Sequence, residues 1–185
     1  MKKIIFTGGP CVGKTTTLNL LKSSLDGVHV IDEVPRDVIE SEQKLKSANS
    51  SHDTVLPWID GKFDDFQKLV IAEQILREKN APEDSKMVLL DRSLVDVLGY
   101  CKVFGKSAPA ELLSHIKNAG YEKIFFLERL NSYVNDAERK EDTVFAGKIH
   151  NAILEAYREL GFPVIIVPSF DGKAKERADF IRAHL

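Results

Sequence analysis

The chain has 185 residues, 43% of them hydrophobic, which is enough to bury a sizeable core within one domain spanning 1–185. Lys and Arg number 26 against 28 Asp and Glu, a formal net charge of −2 with no Lys/Arg-rich run, so the charge offers no basic field for nucleic acid. Two cysteines give neither a disulfide framework nor a zinc spacing, no apolar run reaches membrane-span length, and Met1 to Thr7 is too short for a signal segment, so a cytoplasmic, non-membrane protein is expected.

The first predicted strand, residues 3–7, carries the apolar run Ile4-Ile5-Phe6. It runs into Gly8-Gly9-Pro10-Cys11-Val12-Gly13-Lys14-Thr15-Thr16, a full G-x-x-x-x-G-K-T phosphate-binding loop. The glycines let successive backbone N–H groups turn inward around a phosphate. Lys14 can reach β- and γ-phosphates, and the Thr15 hydroxyl can take a Mg²⁺ position. Cys11 reads as a small residue that fits the loop. A helix over 14–25 follows, with Leu18, Leu21 and Leu25 on one face.

The second strand, 28–32, leads into Glu33-Val34-Pro35-Arg36. A carboxylate here suits a general base for an acceptor hydroxyl, or a Mg²⁺ contact through water. It equally suits the acidic start of a helix with Pro35 in its first turn; the neighbouring arginine favours the chemical role. Residues 41–63 are polar, contain His52, Pro57, Trp58 and Gly61, and read as a long loop or frayed helix–helix connection. A helix over 64–79 carries Phe66, Leu69, Val70 and Leu76; Trp58, Phe63, Phe66 and Gln67 could meet a nucleobase, although aromatics at this spacing usually serve a core.

The third strand, 87–91, closes on Asp91-Arg92-Ser93. An aspartate ending an apolar strand is the expected second Mg²⁺ element beside Thr15, and Arg92 offers a planar fork for phosphate or carboxylate oxygens. Ser93 and Asp96 read as a helix capping box. After a fourth strand, 123–127, come Glu128-Arg129 and a polar stretch to Arg139-Lys140-Glu141-Asp142. Residues 129–141 read as a lid, with Arg139 preferred to Arg129 as the cation delivered to the phosphates. A helix over 142–160 and a fifth strand, 164–167, complete the pattern. The five histidines, His29, His52, His115, His150 and His184, lack ligand spacing.

Buried strands alternating with helices predict an α/β fold around a five-stranded parallel sheet with right-handed crossovers. The second and third strands are expected to flank the loop-bearing one, directing Glu33 and Arg92 into the crevice at the strands' carboxyl ends.

Together, Gly8 to Thr16, Glu33-Val34-Pro35-Arg36, Asp91-Arg92-Ser93 with Asp96, and Arg139 with Glu141 resemble the NadR-like AAA-domain ATPases, within the nucleoside and nucleotide kinase branch of P-loop proteins. The Asp-Arg-Ser step is similar to the acid-Arg step of deoxynucleoside and thymidylate kinases. The resemblance implies a P-loop NTPase three-layer sandwich, α/β and kinase-like with a lid segment, in which Glu33 and Arg92 are acceptor-site residues and Arg139 a lid arginine. The implied activity is transfer of a phosphoryl group from ATP·Mg²⁺ to a nucleoside, nucleotide or nucleoside-like metabolite. The expected catalytic set is Lys14, Glu33, Asp91, Arg92 and Arg139, with Thr15 and Asp91 on the metal. The alternative is a regulatory NTPase or nucleotide-dependent switch without an acceptor. No Asn-Lys-x-Asp guanine-reading run occurs.

Overall fold

The computed structural model describes residues 1–130 and 143–185. At its centre lies a parallel sheet in the order β2-β3-β1-β4-β5. The strands are β1 (Lys2–Thr7), β2 (Val28–Ile31), β3 (Met87–Asp91), β4 (Tyr121–Leu127) and β5 (Val164–Val167). Each sits on a run the sequence predicts, differing only at its ends. The helices are α1 (Lys14–Lys22), α2 (Val34–Ala48), α3 (Phe63–Lys79), α4 (Leu94–Val103), α5 (Leu112–Asn118), α6 (Thr143–Glu159) and α7 (Ala174–Arg182).

Successive side chains of a strand face opposite ways, and here both faces are covered. Ile4 and Phe6 of β1, Leu89 of β3, and Phe125 and Leu127 of β4 form one core with α1 and α7. Ile5, Val88, Leu90, Ile124 and Phe126 form the other with α2 to α6. This double burial is why the strands read as unbroken apolar runs rather than as alternating ones.

Two expectations change. Of the two strands expected to flank β1, only β3 adjoins it, pairing from Lys2↔Met87 to Phe6↔Asp91, while β2 lies beyond β3 and β4 takes the other side of β1. The burial explains the order: Val88, Leu89 and Leu90 are fully enclosed, as an interior strand requires, whereas Val28, His29 and Val30 are half-buried, as suits an edge. Second, residues 41–48, expected as the start of a long loop or frayed helix–helix connection, continue α2. Its core-facing positions are Val34, Val38 and the carboxylate Glu42, so a polar residue stands where an apolar stripe would reveal a helix. The loop proper is 49–62. Apart from Arg129 and Leu130, the lid segment expected at 129–141, with Arg139 and Glu141, lies outside the described residues. No described helix is long and apolar enough to cross a membrane.

Candidate active site

The loop from Gly8 to Thr16 joins the carboxyl end of β1 to α1. Its backbone needs glycine at two places. Gly8 has φ +135°, and a Cβ there would stand 2.8 Å from the Leu127 carbonyl oxygen; Gly13, at φ +82°, makes the left-handed step into α1. Cys11 also takes a left-handed conformation, φ 56°, and is half-buried. Lys14 is buried and arches back across the loop, its Nζ donating to the Gly9 carbonyl at 3.1 Å and approaching that of Gly8 at 3.5 Å. The start of α1, with its unshared N–H groups, faces the same space.

Across from the loop, the Thr15 hydroxyl donates to Asp91 Oδ2 at 2.8 Å. Asp91 is 1% exposed, and its Oδ1 has no hydrogen-bond partner among the described residues. Burial raises this carboxyl above its usual range and the charge of Glu33 adds to that, against Lys14, Arg92 and the Thr15 hydroxyl. An orphaned carboxylate oxygen beside a hydroxyl at a helix N-terminus is a donor set that fits a hard cation with oxygen ligands. Because no cluster of three His, Cys, Asp or Glu occurs among the described residues, the remaining positions would fall to phosphate oxygens and water. Mg²⁺ arriving with a triphosphate fits these residues.

Arg92 is the most constrained residue of the site. It lies in the left-handed region at φ 78°, which costs a non-glycine residue about 1–2 kcal/mol. Its guanidinium holds it there. Nε donates to Glu33 Oε1 at 2.9 Å, and Nη1 reaches the Gly8 carbonyl at 3.2 Å and Asp96 Oδ1 at 3.4 Å. The planar group lies over the Tyr100 ring, 5.6 Å from its centroid. Nη2, also buried, has no partner among the described residues. Glu33 precedes α2, followed by Pro35 in the first turn, and approaches Arg36 as well, at 3.7 Å. The exposed Arg36 pair is worth little next to the buried one with Arg92.

Ser93 and Asp96 form the expected capping box on α4. Asp96 does more than cap: besides the Ser93 N–H at 3.0 Å, it accepts from Thr7 Oγ1 at 2.7 Å and Tyr157 OH at 2.8 Å while holding Arg92. The sequence marks the cap through its spacing, but nothing marks the bonds to Thr7 and Tyr157, which join distant elements. Arg129, after β4, lies with its Nη1 against Gly147 of α6.

From Arg92 a cleft of about 1000 Å³ opens between α2, α3 and α4. Gln67 and Tyr100 line its inner part and Trp58, 63% exposed, its rim. Phe63 stacks on Phe104 at 4.5 Å, and Phe104 meets Phe145 edge-on at 5.6 Å, forming an aromatic wall. Phe63 and Phe66 thus belong to the core and to the cleft at once. Gln67 is 5% exposed, and its amide belongs to the lining of the cleft.

A central β1 carrying the phosphate loop, β3 ending in Asp91-Arg92 beside it, and an adjoining cleft define a P-loop α/β protein of kinase-like fold. The profile of the AAA domain family matches residues 3–177. The chain belongs to that family. Among solved structures, it is similar to deoxyadenosine kinase from M. mycoides, described with the products dCMP and a flexible dCDP bound. The TM-score is 0.67 over 98% of this chain and 97% of that chain, at 15% sequence identity. At that identity the likeness speaks for the fold. The comparison with curated protein sequences returned no match.

Proposed function

We propose that the chain is an ATP-dependent phosphotransferase that moves the γ-phosphoryl group of ATP·Mg²⁺ to a hydroxyl of a small nucleoside or nucleoside-like acceptor. The observation that carries this reading is the Arg92 fork, strained in its backbone, fastened by Glu33 and Asp96, and left beside the phosphate loop with one buried Nη2 group that meets no partner among the described residues. Backbone strain and an orphaned buried donor are tolerated where a ligand makes use of them. A nucleotide switch needs neither.

In this reading Lys14 covers the β- and γ-phosphate oxygens, and Arg92 Nη2 fixes an acceptor oxygen. Glu33 orients the reacting hydroxyl and receives its proton as the oxygen bonds to the γ-phosphorus and the bond to the β–γ bridging oxygen breaks, releasing ADP. Mg²⁺ bound near Thr15 and Asp91 supplies neutralisation of the phosphate charge. The Gln67 amide offers a donor and an acceptor in one plane, as a base edge requires, and the aromatic wall offers a ring surface. Among the described cleft residues three carboxylates, Glu33, Glu40 and Asp96, stand against two guanidinium groups, Arg36 and Arg92. That balance favours a neutral nucleoside over a phosphorylated acceptor. The kinase-like fold and the nucleoside kinase among similar structures support the same class.

The test is a screen of nucleosides, nucleotides and related metabolites for ADP release above the protein's own ATPase rate. Glu33→Gln keeps an oxygen on Arg92 but loses the base, so acceptor-stimulated turnover should fall about a hundred- to ten-thousand-fold with ATP affinity nearly unchanged. If nothing stimulates ADP release and Glu33→Gln turns over like the parent, the regulatory NTPase reading replaces this one.

A further inference from the structure

The peptide unit between Gly8 and Gly9 is gripped on both edges. Its N–H donates to Nδ1 of His150, on α6, at 3.1 Å. Its carbonyl points the opposite way, because the peptide is trans, and there receives Arg92 Nη1 at 3.2 Å and approaches Lys14 Nζ at 3.5 Å. One peptide plane therefore links α6 to the ammonium of the phosphate loop and to the guanidinium of the cleft.

The fit around it is close. A Cβ on Gly9 would stand 2.8 Å from His150 Cβ and 3.2 Å from the Ala146 carbonyl oxygen, so glycine alone lets the loop lie on α6. The buried imidazole is seated against the Phe126 ring, with centroids 4.5 Å apart. Burial, with the charges of Arg129 and Lys14 adding to it, pushes the imidazole down to about 4. It is therefore neutral near pH 7, and an Nδ1 that accepts from Gly9 leaves the ring proton on Nε2.

We infer that His150 is a positioning residue for both halves of the site: Nδ1 sets the tilt of the Gly8–Gly9 peptide and, through the Gly8 carbonyl, the places of Lys14 and Arg92. What Lys14 and Arg92 then do rests on the phosphotransferase reading above. A ring that merely fills space against Phe126 would be replaceable by any side chain of its volume. A ring that accepts from Gly9 is replaceable only by another acceptor at the same place. Without one, the Gly9 N–H is left buried and unpaired, and the peptide is free to turn away from both cations.

The experiment compares His150→Asn, whose Oδ1 stands close to the position of Nδ1, with His150→Leu, which fills the space without an acceptor. Calorimetric titration with ATP·Mg²⁺ should give a dissociation constant about tenfold higher for the Leu variant, with the Asn variant recovering most of the loss. Equal binding by His150→Leu and the parent overturns the inference, and so does an Asn variant as weak as the Leu one. A parent that binds neither ATP nor GTP overturns the nucleotide reading itself and takes this inference with it. Should the Leu variant not fold, long-range ¹H–¹⁵N spectra of the parent decide. A His150 ring protonated on Nε2 alone, from about pH 8 down to about pH 5.5, supports the assignment, and one protonated on Nδ1 overturns it.

Discussion

Asp91 shows at the scale of one residue what enclosing a carboxylate costs a fold. Its carboxylate is enclosed, with one oxygen on Thr15 and the other unpaired among the described residues. Burial raises its pKa, so the folded protein holds this proton more tightly than the unfolded chain does. A carboxyl raised in the folded state subtracts stability as pH climbs through the ordinary carboxylate range and beyond. Asp91→Asn keeps the shape and abolishes the charge, so near pH 7 the nucleotide-free protein should melt at a higher temperature than the parent. The same change should lower ATP turnover about a hundredfold or more and raise the Mg²⁺ concentration needed for half-maximal rate. A melting curve shifted downward would refute the burial argument, and an unchanged Mg²⁺ dependence would refute the metal role. Residues of this kind are legible in a sequence when their partners lie a fixed number of positions away, as in Gly8 to Thr16 and in Ser93 with Asp96. His150 is 141 positions from Gly9, and no spacing announces it.

At the scale of elements, α2 and the loop after it show what polarity conceals. Glu42 occupies the core side of α2, accepting from the Val55 N–H at 2.7 Å and meeting His52 Nε2 at 3.0 Å. Residues 41–48 therefore look like loop by composition, while in the fold they are the post to which residues 49–62 are tied. That loop carries Trp58, the chain's single tryptophan, to the rim of the cleft. Burial pushes the Glu42 carboxyl up, but the Val55 N–H and His52 outweigh it and hold it below its usual value. A carboxyl depressed in the folded state lends stability that is complete above the ordinary carboxylate pKa and is lost as pH falls through the depressed one. Trp58 anisotropy in the parent should hold steady from neutral pH down to the ordinary carboxylate pKa and decline only in stronger acid. Glu42→Ala leaves the Val55 N–H without its acceptor, at a cost of about 1–3 kcal/mol, so it should show the lowered anisotropy already at neutral pH. Anisotropy that is the same in both proteins at pH 7 would mean that Glu42 does not hold the loop.

For the whole molecule, the five strands could be read from their apolar runs, but their order could not, because pairing depends on burial that only the assembled sheet defines. The same holds for Arg177 of α7, a charged residue in a helix that composition would leave at the surface. It is 1% exposed. Its guanidinium donates to the carbonyls of Pro168 after β5, at 3.1 Å, of Glu128 after β4, at 2.6 Å, and of Val12 within the phosphate loop. Three segments at the carboxyl end of the sheet thus converge on one side chain from the end of the chain. Arg177→Met keeps most of the length and apolar stem but leaves three carbonyls without this donor. We expect a loss of about 3–5 kcal/mol, or roughly 10 °C or more in melting temperature for a chain of this size. Arg177→Lys supplies N–H groups from a single point, which cannot span three diverging carbonyls, and should recover only part of the loss. Because Val12 belongs to the phosphate loop, saturating ATP·Mg²⁺ should raise the melting temperature of the parent by more than that of Arg177→Met. Equal increments in the two proteins would confine Arg177 to holding the strand ends together, and a Met variant melting with the parent would deny it even that.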